Sequence, residues 1–526
     1  MTGVQTCALP ILLAGVSSLR AADAPEILQT RCTACHRHLD GERLTRISDQ
    51  RKTPEGWAMT IARMEHIHKL IVTDDERQGL VKYLSDTQGL APEETRGFRY
   101  ALERRTDVVE APPDEDLAVE CARCHSYAKI ALQRRDEAEW LKLSHFHLAQ
   151  WPTLEYQSHG RDRNWWEIAS TRSPARLAEL YPLTTPAWSQ WRAREKRDVS
   201  GAWRVVGHRP GKGDYEGRMS ISRTAADAYA VALDLRYADG AEASGKGTAV
   251  VYTGYEWRGS IDLAGEKISQ VLALSEDGQE LSGRWFLTDS DVLGADLRAV
   301  RDGGEPRVSR ILAVEPSFLR SGEQTEVAIH GVGLDGDVSL GDGVEVERRQ
   351  ATLDTVRVLA RAKHGAAVGV REVTVGKAQA GDLFAIYDKI GSLRVEPAFA
   401  IARVGGGGGT RAPVPVQFDA VAYLDGPDGK PRTDDDVRLG AMKARWSVAD
   451  FDAGAAKLED AKFAGTMKPG GLFVPAEAGP NPRRAYHTNN AGDLAVHAVV
   501  ADGGRTVQGT AHLIVTLQRW VDPPLR

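Results

Sequence analysis

The chain of 526 residues has little cysteine, no long apolar run, no excess of positive charge and few methionines. Each shortage narrows what it can be. Five cysteines are too few for a disulfide-stapled scaffold, and four of them fall in two pentapeptides, Cys32-Thr33-Ala34-Cys35-His36 and Cys121-Ala122-Arg123-Cys124-His125. Only Cys7 is left over. The most apolar stretch, Ala8 to Leu19, is interrupted by Ser17 and Ser18 and is too short to span a bilayer. Followed by Ala21-Ala22-Asp23-Ala24, it reads as the end of a secretory signal with an Ala-x-Ala type cleavage site, which puts the protein outside the cytoplasm. No basic segment or lipobox accompanies it, residues 1–11 resemble a translated sequencing adapter, and Cys7 is given no function. The net charge of -6 argues against a nucleic-acid binder and for protein or small-molecule partners. Gly405 to Gly409 lacks the Lys and strand-to-helix setting of a phosphate loop and reads as a flexible loop. Asp434-Asp435-Asp436 lacks EF-hand spacing and reads as a solvated turn.

The length calls for three or four domains. From Ala24 to Trp191 the sequence is rich in His, Arg and Trp with helical periodicity. Thr73-Asp74-Asp75-Glu76 followed by Leu80, Val81 and Leu84 predicts a capped helix ending near Gly89, and another is expected from Asp136 to Leu148. Ala111-Pro112-Pro113-Asp114 looks like a hinge between two halves that each own one pentapeptide. Beyond Ser200 the pattern turns to short alternating runs, among them Ala228–Tyr237, Gly247–Thr253 and Leu281–Phe286, as in an antiparallel barrel or sandwich. Ile311–Pro316, Val327–Leu334 and Val370–Val375 have the spacing of a small immunoglobulin-like sandwich and resemble the IPT/TIG type. Val416–Tyr423 and Leu494–Val500 indicate a further sandwich. The expected boundaries are 1–24 for the signal remnant, 25–195 for the helical domain, 196–304 for a β-barrel, 305–390 for the IPT/TIG-like unit and 391–526 for the last sandwich.

Each pentapeptide supplies two thiols about one turn apart, to add to the two vinyl groups of one porphyrin, and an imidazole to meet the iron. Two copies predict two covalent c-type haems, held through Cys32 and Cys35 with His36 and through Cys121 and Cys124 with His125. A zinc site made of the two Cys pairs is the weaker alternative, because the pairs lie some 90 residues apart and each is followed by His. Eight of the fourteen histidines precede residue 160, where sixth ligands are to be sought. For the first haem the candidates are Met64, then His68, which lies at i+4 from it, then His66; Met would raise the potential and His lower it. For the second haem no methionine lies between His125 and Met219, so a histidine is expected: His147 ahead of His145, with His159 also available.

The text around the motifs carries a resemblance. Pro54-Glu55-Gly56-Trp57, Arg63-Met64-x-x-x-His68, Tyr83-Leu84-Ser85-Asp86-Thr87-Gln88-Gly89-Leu90-Ala91-Pro92-Glu93, Gln150-Trp151-Pro152-Thr153-Leu154-Glu155-Tyr156-Gln157 and Arg161-Asp162-Arg163-Asn164-Trp165-Trp166 resemble the α, or dihaem, subunit of quinohaemoprotein amine dehydrogenase. The likeness spans essentially the whole chain. It implies an α-helical dihaem cytochrome c domain followed by a β-barrel and two immunoglobulin-like domains, in a periplasmic heterotrimer with a β-propeller β subunit and a small γ subunit. In that family primary amines are oxidised at a cysteine tryptophylquinone on the γ subunit. This chain would then carry no quinone and would pass electrons through its haems to a soluble cytochrome c or blue copper protein. Lys69 departs from the glycine expected after the His68 position. Trp151, Tyr156, Trp165 and Trp166 can cover a haem edge or face the quinone subunit, with core packing the stronger reading. Two other functions compete: a self-contained dihaem peroxidase, which needs an open sixth position, and a redox-sensing binding module.

Overall fold

A computed structural model of the chain describes residues 23–151, 162–303, 309–409 and 411–518. The signal segment, Cys7, Tyr156 and His159 lie outside the described residues. Helices dominate up to residue 192, and strands dominate beyond it.

Several of the helices begin where a side chain satisfies a free N–H group. Helix α1 is Ala24–Thr30, α2 is Pro54–His66 and α3 is Asp74–Thr87. The Thr53 hydroxyl accepts from the Gly56 N–H at the start of α2. At α3 the expected capping box is complete: Thr73 accepts from Glu76 N–H at 3.2 Å and Glu76 accepts from Thr73 N–H at 2.8 Å. The later helix runs Glu137–Gln150, with Asp136 accepting from Glu139 N–H at 2.8 Å. Two short strands, β1 (Gln50–Lys52) and β2 (Gln133–Arg135), pair antiparallel and join the two halves. Arg51 faces Arg134 across the pair, and Glu94 takes both: Arg51 donates two bonds to it at 2.8 and 2.9 Å, Arg134 one at 3.1 Å, and all three side chains are buried. Thr185 and the Ala91 N–H fill its remaining acceptor positions at 2.9 and 2.8 Å.

The second unit is a closed antiparallel barrel of eight strands, β3 (Gly201–Arg209), β4 (Gly213–Ala225), β5 (Ala228–Tyr237), β6 (Glu242–Tyr252), β7 (Glu256–Leu263), β8 (Glu266–Leu274), β9 (Glu280–Leu287) and β10 (Ser290–Asp302), each paired to the next, with β10 closing on β3. Alternation sends every second side chain inward. Trp203, Trp257, Trp285 and Met219 are wholly buried there beside Tyr215 and Tyr229, so the interior is a packed core. Gly247 marks a close approach of strands, since a Cβ there would sit 1.9 Å from the Ser260 carbonyl oxygen.

The barrel wall carries the helical unit. Thr253 donates to Asp86 and to the Ser85 carbonyl, Trp191 donates to the Thr253 carbonyl at 2.8 Å, and the half-buried chain Arg99–Glu256–Arg258–Glu55, centred on the buried Glu256, crosses the junction. Gly89 is needed at this contact, because a Cβ would meet the Ser85 carbonyl at 2.2 Å and Thr253 at 2.8 Å.

Beyond the barrel, strands Arg310–Glu315, Gln324–Val332, Thr355–Ala362 and Val344–Ala351 form one sheet. Phe318–Arg320, Ala378–Tyr387, Gly369–Val375 and Val338–Ser339 form a second, over a shared core that includes Val327, Val358, Phe384 and Ile386. The last unit holds three sheets around Phe418, Phe473, Leu494 and Leu513. The run Val416–Tyr423 is divided here. Phe418 is fully buried and its N–H bonds the Gly471 carbonyl, so Val416–Gln417 pairs with Leu472–Pro475 while Asp419–Leu424 joins Ser392–Glu396.

Candidate haem sites

The first pentapeptide follows α1 as a tight turn: the N–H groups of Cys35 and His36 both reach the Cys32 carbonyl, at 3.1 and 2.9 Å. Cys32 is half-buried and Cys35 exposed. In the second, Cys121 ends the helix Glu115–Cys121, is half-buried, and precedes the exposed Cys124. Burial pushes the Cys32 thiol up and the Cys121 thiol to about 12. Burial thus favours the protonated thiol at both positions. No three His, Cys, Asp or Glu side chains gather as ligands to one ion among the described residues, so the Cys pairs are not brought together as a zinc site requires.

The imidazoles share one arrangement. His36 Nδ1 lies 2.8 Å from the Thr45 carbonyl oxygen, His125 Nδ1 2.9 Å from that of Ser126, and His147 Nδ1 2.8 Å from that of Leu143. A carbonyl can only accept, so each Nδ1 carries a proton, and in the neutral ring Nε2 is the nitrogen left with a lone pair, which is the tautomer a metal needs. Burial holds His125 below the usual histidine range, partly offset by its bond to Ser126, and keeps the ring neutral. The rings of His125 and His147 have centroids 6.3 Å apart. Two imidazoles bonded to one metal at about 2 Å each put their ring centres about 6 Å apart, and this pair has that separation. His145, two residues earlier, instead packs edge-on against Trp166 at 4.9 Å.

The first haem's sixth-ligand candidates are less gathered. Met64 is half-buried near the end of α2, whereas His66 and His68 are exposed, and the described contacts bring none of the three to His36. Lys69 has φ +62°, the left-handed conformation that favours glycine, and the Leu70 N–H returns to the Met64 carbonyl at 3.0 Å. Lysine thus takes the left-handed conformation at the position where the resemblance leads one to expect glycine. Of the four aromatic candidates, Trp165 and Trp166 meet edge to face at 5.5 Å and are half-buried, and Trp151 is 58% exposed.

Sequence reasoning missed Glu110. Its carboxylate accepts from the Ser126 hydroxyl at 2.5 Å, the Tyr127 N–H at 2.7 Å, the Ala128 N–H and the Tyr100 hydroxyl, and so clamps the turn whose Ser126 carbonyl orients His125. These bonds outweigh burial and hold Glu110 below the usual carboxylate range. A lone Glu before the hinge gave no periodic signal. Arg63, next to Met64, stacks over the Phe146 ring at 4.6 Å, next to His147, and so links the two helices that carry candidate ligands.

Four protein-family profiles match the chain, all from one subunit: quinohemoprotein amine dehydrogenase A alpha subunit, haem binding, over residues 22–188; domain II over 196–302; domain III over 308–388; and domain IV over 393–525. No curated protein matches. Among solved structures, a redesigned β-barrel, mFAP1, bound to DFHBI is 14% identical, with 19% of this chain and 91% of that chain covered at a TM-score of 0.17. The Bacteroides ovatus mixed-linkage glucan utilization locus protein SGBP-B, in complex with a mixed-linkage heptasaccharide, is 9% identical, with 60% of each chain covered at a TM-score of 0.18. With profiles specific to one subunit matched from residue 22 to residue 525, the chain belongs to the quinohemoprotein amine dehydrogenase alpha-subunit family.

Proposed function

We propose that this chain is the periplasmic electron-transfer subunit of an amine dehydrogenase. It carries two covalent haems, on Cys32, Cys35 and His36 and on Cys121, Cys124 and His125, in a helical domain of residues 25–195. His147 is the sixth ligand of the second haem, in preference to His145, and Met64 that of the first, in preference to His68. The haems supply one-electron carriers, and the chain fixes their position, tautomer and shelter from water. The barrel (196–304) and the immunoglobulin-like units (305–390 and 391–526) form the scaffold for a propeller subunit and a small γ subunit bearing cysteine tryptophylquinone. Electrons leave to a soluble cytochrome c or blue copper protein.

The facing pair His125 and His147 carries this reading. An iron with two protein ligands has no open position for peroxide, which sets the peroxidase alternative at a disadvantage at that haem. The test is reduction by a primary amine after co-purification with the quinone-bearing subunit. Growth of the reduced haem absorbance is expected. A chain that stays oxidised in the presence of its partners contradicts the reading.

A further inference from the structure

The paired strands β1 and β2 bury charge on both faces, but only one face is balanced. Strand alternation puts Arg51 and Arg134 on the face that Glu94 serves, and Gln50, Lys52, Gln133 and Arg135 on the other, with Gln50 opposite Arg135 and Lys52 opposite Gln133. Lys52 and Arg135 are each 4% exposed. The Lys52 ammonium donates to the Thr60 hydroxyl at 2.7 Å and lies 5.3 Å from the centre of the Trp57 ring, and no carboxylate is among its bonds. Arg63 and Arg46 lie close enough to act on both cations. Two carboxylates act on them, Asp136 on Arg135 and Glu139 on both, and Glu139 is shared: it is 3.8 Å from Arg135, 3.1 Å from Arg46, and also accepts from Lys142. Five cations thus share two carboxylates, with Arg46 and Lys142 half-exposed but Lys52 and Arg135 buried.

Two buried donors on this face have no protein acceptor: Arg135 Nε and Trp140 Nε1. They are neighbours, with the Arg135 guanidinium 5.7 Å from the centre of the Trp140 ring. Buried donors without acceptors and buried cations without anions are each unfavourable, and both lacks are met by one carboxylate. Burial first, then the neighbouring guanidinium groups, hold Lys52 well below the usual lysine range while no such anion is bound. The two helices that carry candidate ligands meet beside this face. Arg63 belongs to α2, which carries Met64, Trp140 to the helix that carries His147, and Arg63 stacks on Phe146 between them.

We propose that this face is a buried carboxylate site, built by Lys52, Arg63, Arg135 and the Trp140 indole N–H, and that a haem propionate occupies it. The inference rests on the haem reading above. It makes the seam between the two halves a control on haem potential: cations held against a propionate stabilise the reduced form.

The experiment uses the haem-loaded chain with Lys52→Met and Trp140→Phe, which remove the charge or the N–H and keep the bulk. A pyridine haemochrome count comes first; a chain without haem refutes the haem reading itself. With haem present, potentiometric titration of Lys52→Met is expected to shift one haem about tenfold toward its oxidised form at fixed applied potential. The propionate bending band in the resonance Raman spectrum is expected to move in both variants. Unchanged titrations and an unchanged band overturn the proposal, and Trp140→Phe decides alone if Lys52→Met does not fold. Inorganic phosphate is titrated into the unsubstituted protein as the rival ligand. Potentials that follow its concentration would mean a free anion in the site and also overturn it.

Discussion

At the residue scale, three histidines show how much of the site depends on backbone carbonyls. His36, His125 and His147 are told apart from His145 by a donated Nδ1 proton, which no spacing rule contains. The pentapeptides were legible as candidate haem sites because thiol and imidazole must be adjacent to meet one porphyrin. Two carboxylates were not, the buried Glu94 between the two halves and the half-buried Glu110 beside His125, since each looks like any surface acid until its partners are placed. Glu94 gives the first prediction. Its bonds to Arg51 and Arg134 outweigh burial and hold it below the usual carboxylate range, so it stabilises the fold above the unfolded carboxylate value and that contribution is lost as pH falls through the folded one. Glu94→Gln leaves two buried guanidinium groups short of a partner and is expected to cost about 3–5 kcal/mol in urea unfolding. A loss under 1 kcal/mol would match an exposed pair instead.

At the scale of elements, capped helices and alternating strands could be read directly. Thr73-x-x-Glu76 and Asp136 are local signals, and Ala228–Tyr237 alternates because one face lines the barrel. The division at Phe418 was hidden, because a buried aromatic inside an apolar run looks continuous with it and only the Gly471 contact shows the change of sheet. The strands β1 and β2 were hidden for the opposite reason: Gln50–Lys52 and Gln133–Arg135 are polar throughout, so no apolar content signals their burial, and the partner that neutralises Arg51 and Arg134, Glu94, lies about 40 residues away from each. Asp136→Ala removes the N-cap of the helix bearing His147. It is expected to lower stability by about 1 kcal/mol and to broaden the low-spin signal of the second haem, checked by thermal unfolding and electron paramagnetic resonance. An unchanged melting curve would show that the cap is dispensable.

At the scale of the whole molecule, the barrel is the hub, with the helical unit on its wall and the last β unit tied to it through His208. That ring bonds Asp214 of the barrel at 2.5 Å and Asp419 of the last unit at 2.7 Å. Burial disfavours the charged ring, but the two carboxylates prevail and raise it to about 10. A raised value stabilises the fold fully below the unfolded histidine value of about 6.5, and the gain is lost as pH rises toward about 10. Melting temperatures of the unsubstituted chain are therefore expected to fall over that window relative to His208→Gln, which lacks the effect. Parallel curves for the two would contradict the assignment.

The account turns on a chain with two unlike haems, one of them held between His125 and His147. Low-temperature near-infrared magnetic circular dichroism, which separates His/Met from His/His haems, tests this most directly on the purified chain and on His147→Ala. The predicted result is two haems per chain, with a bis-histidine band that disappears in His147→Ala and persists in His145→Ala. A spectrum without a bis-histidine band, or one that survives the loss of His147, contradicts the account.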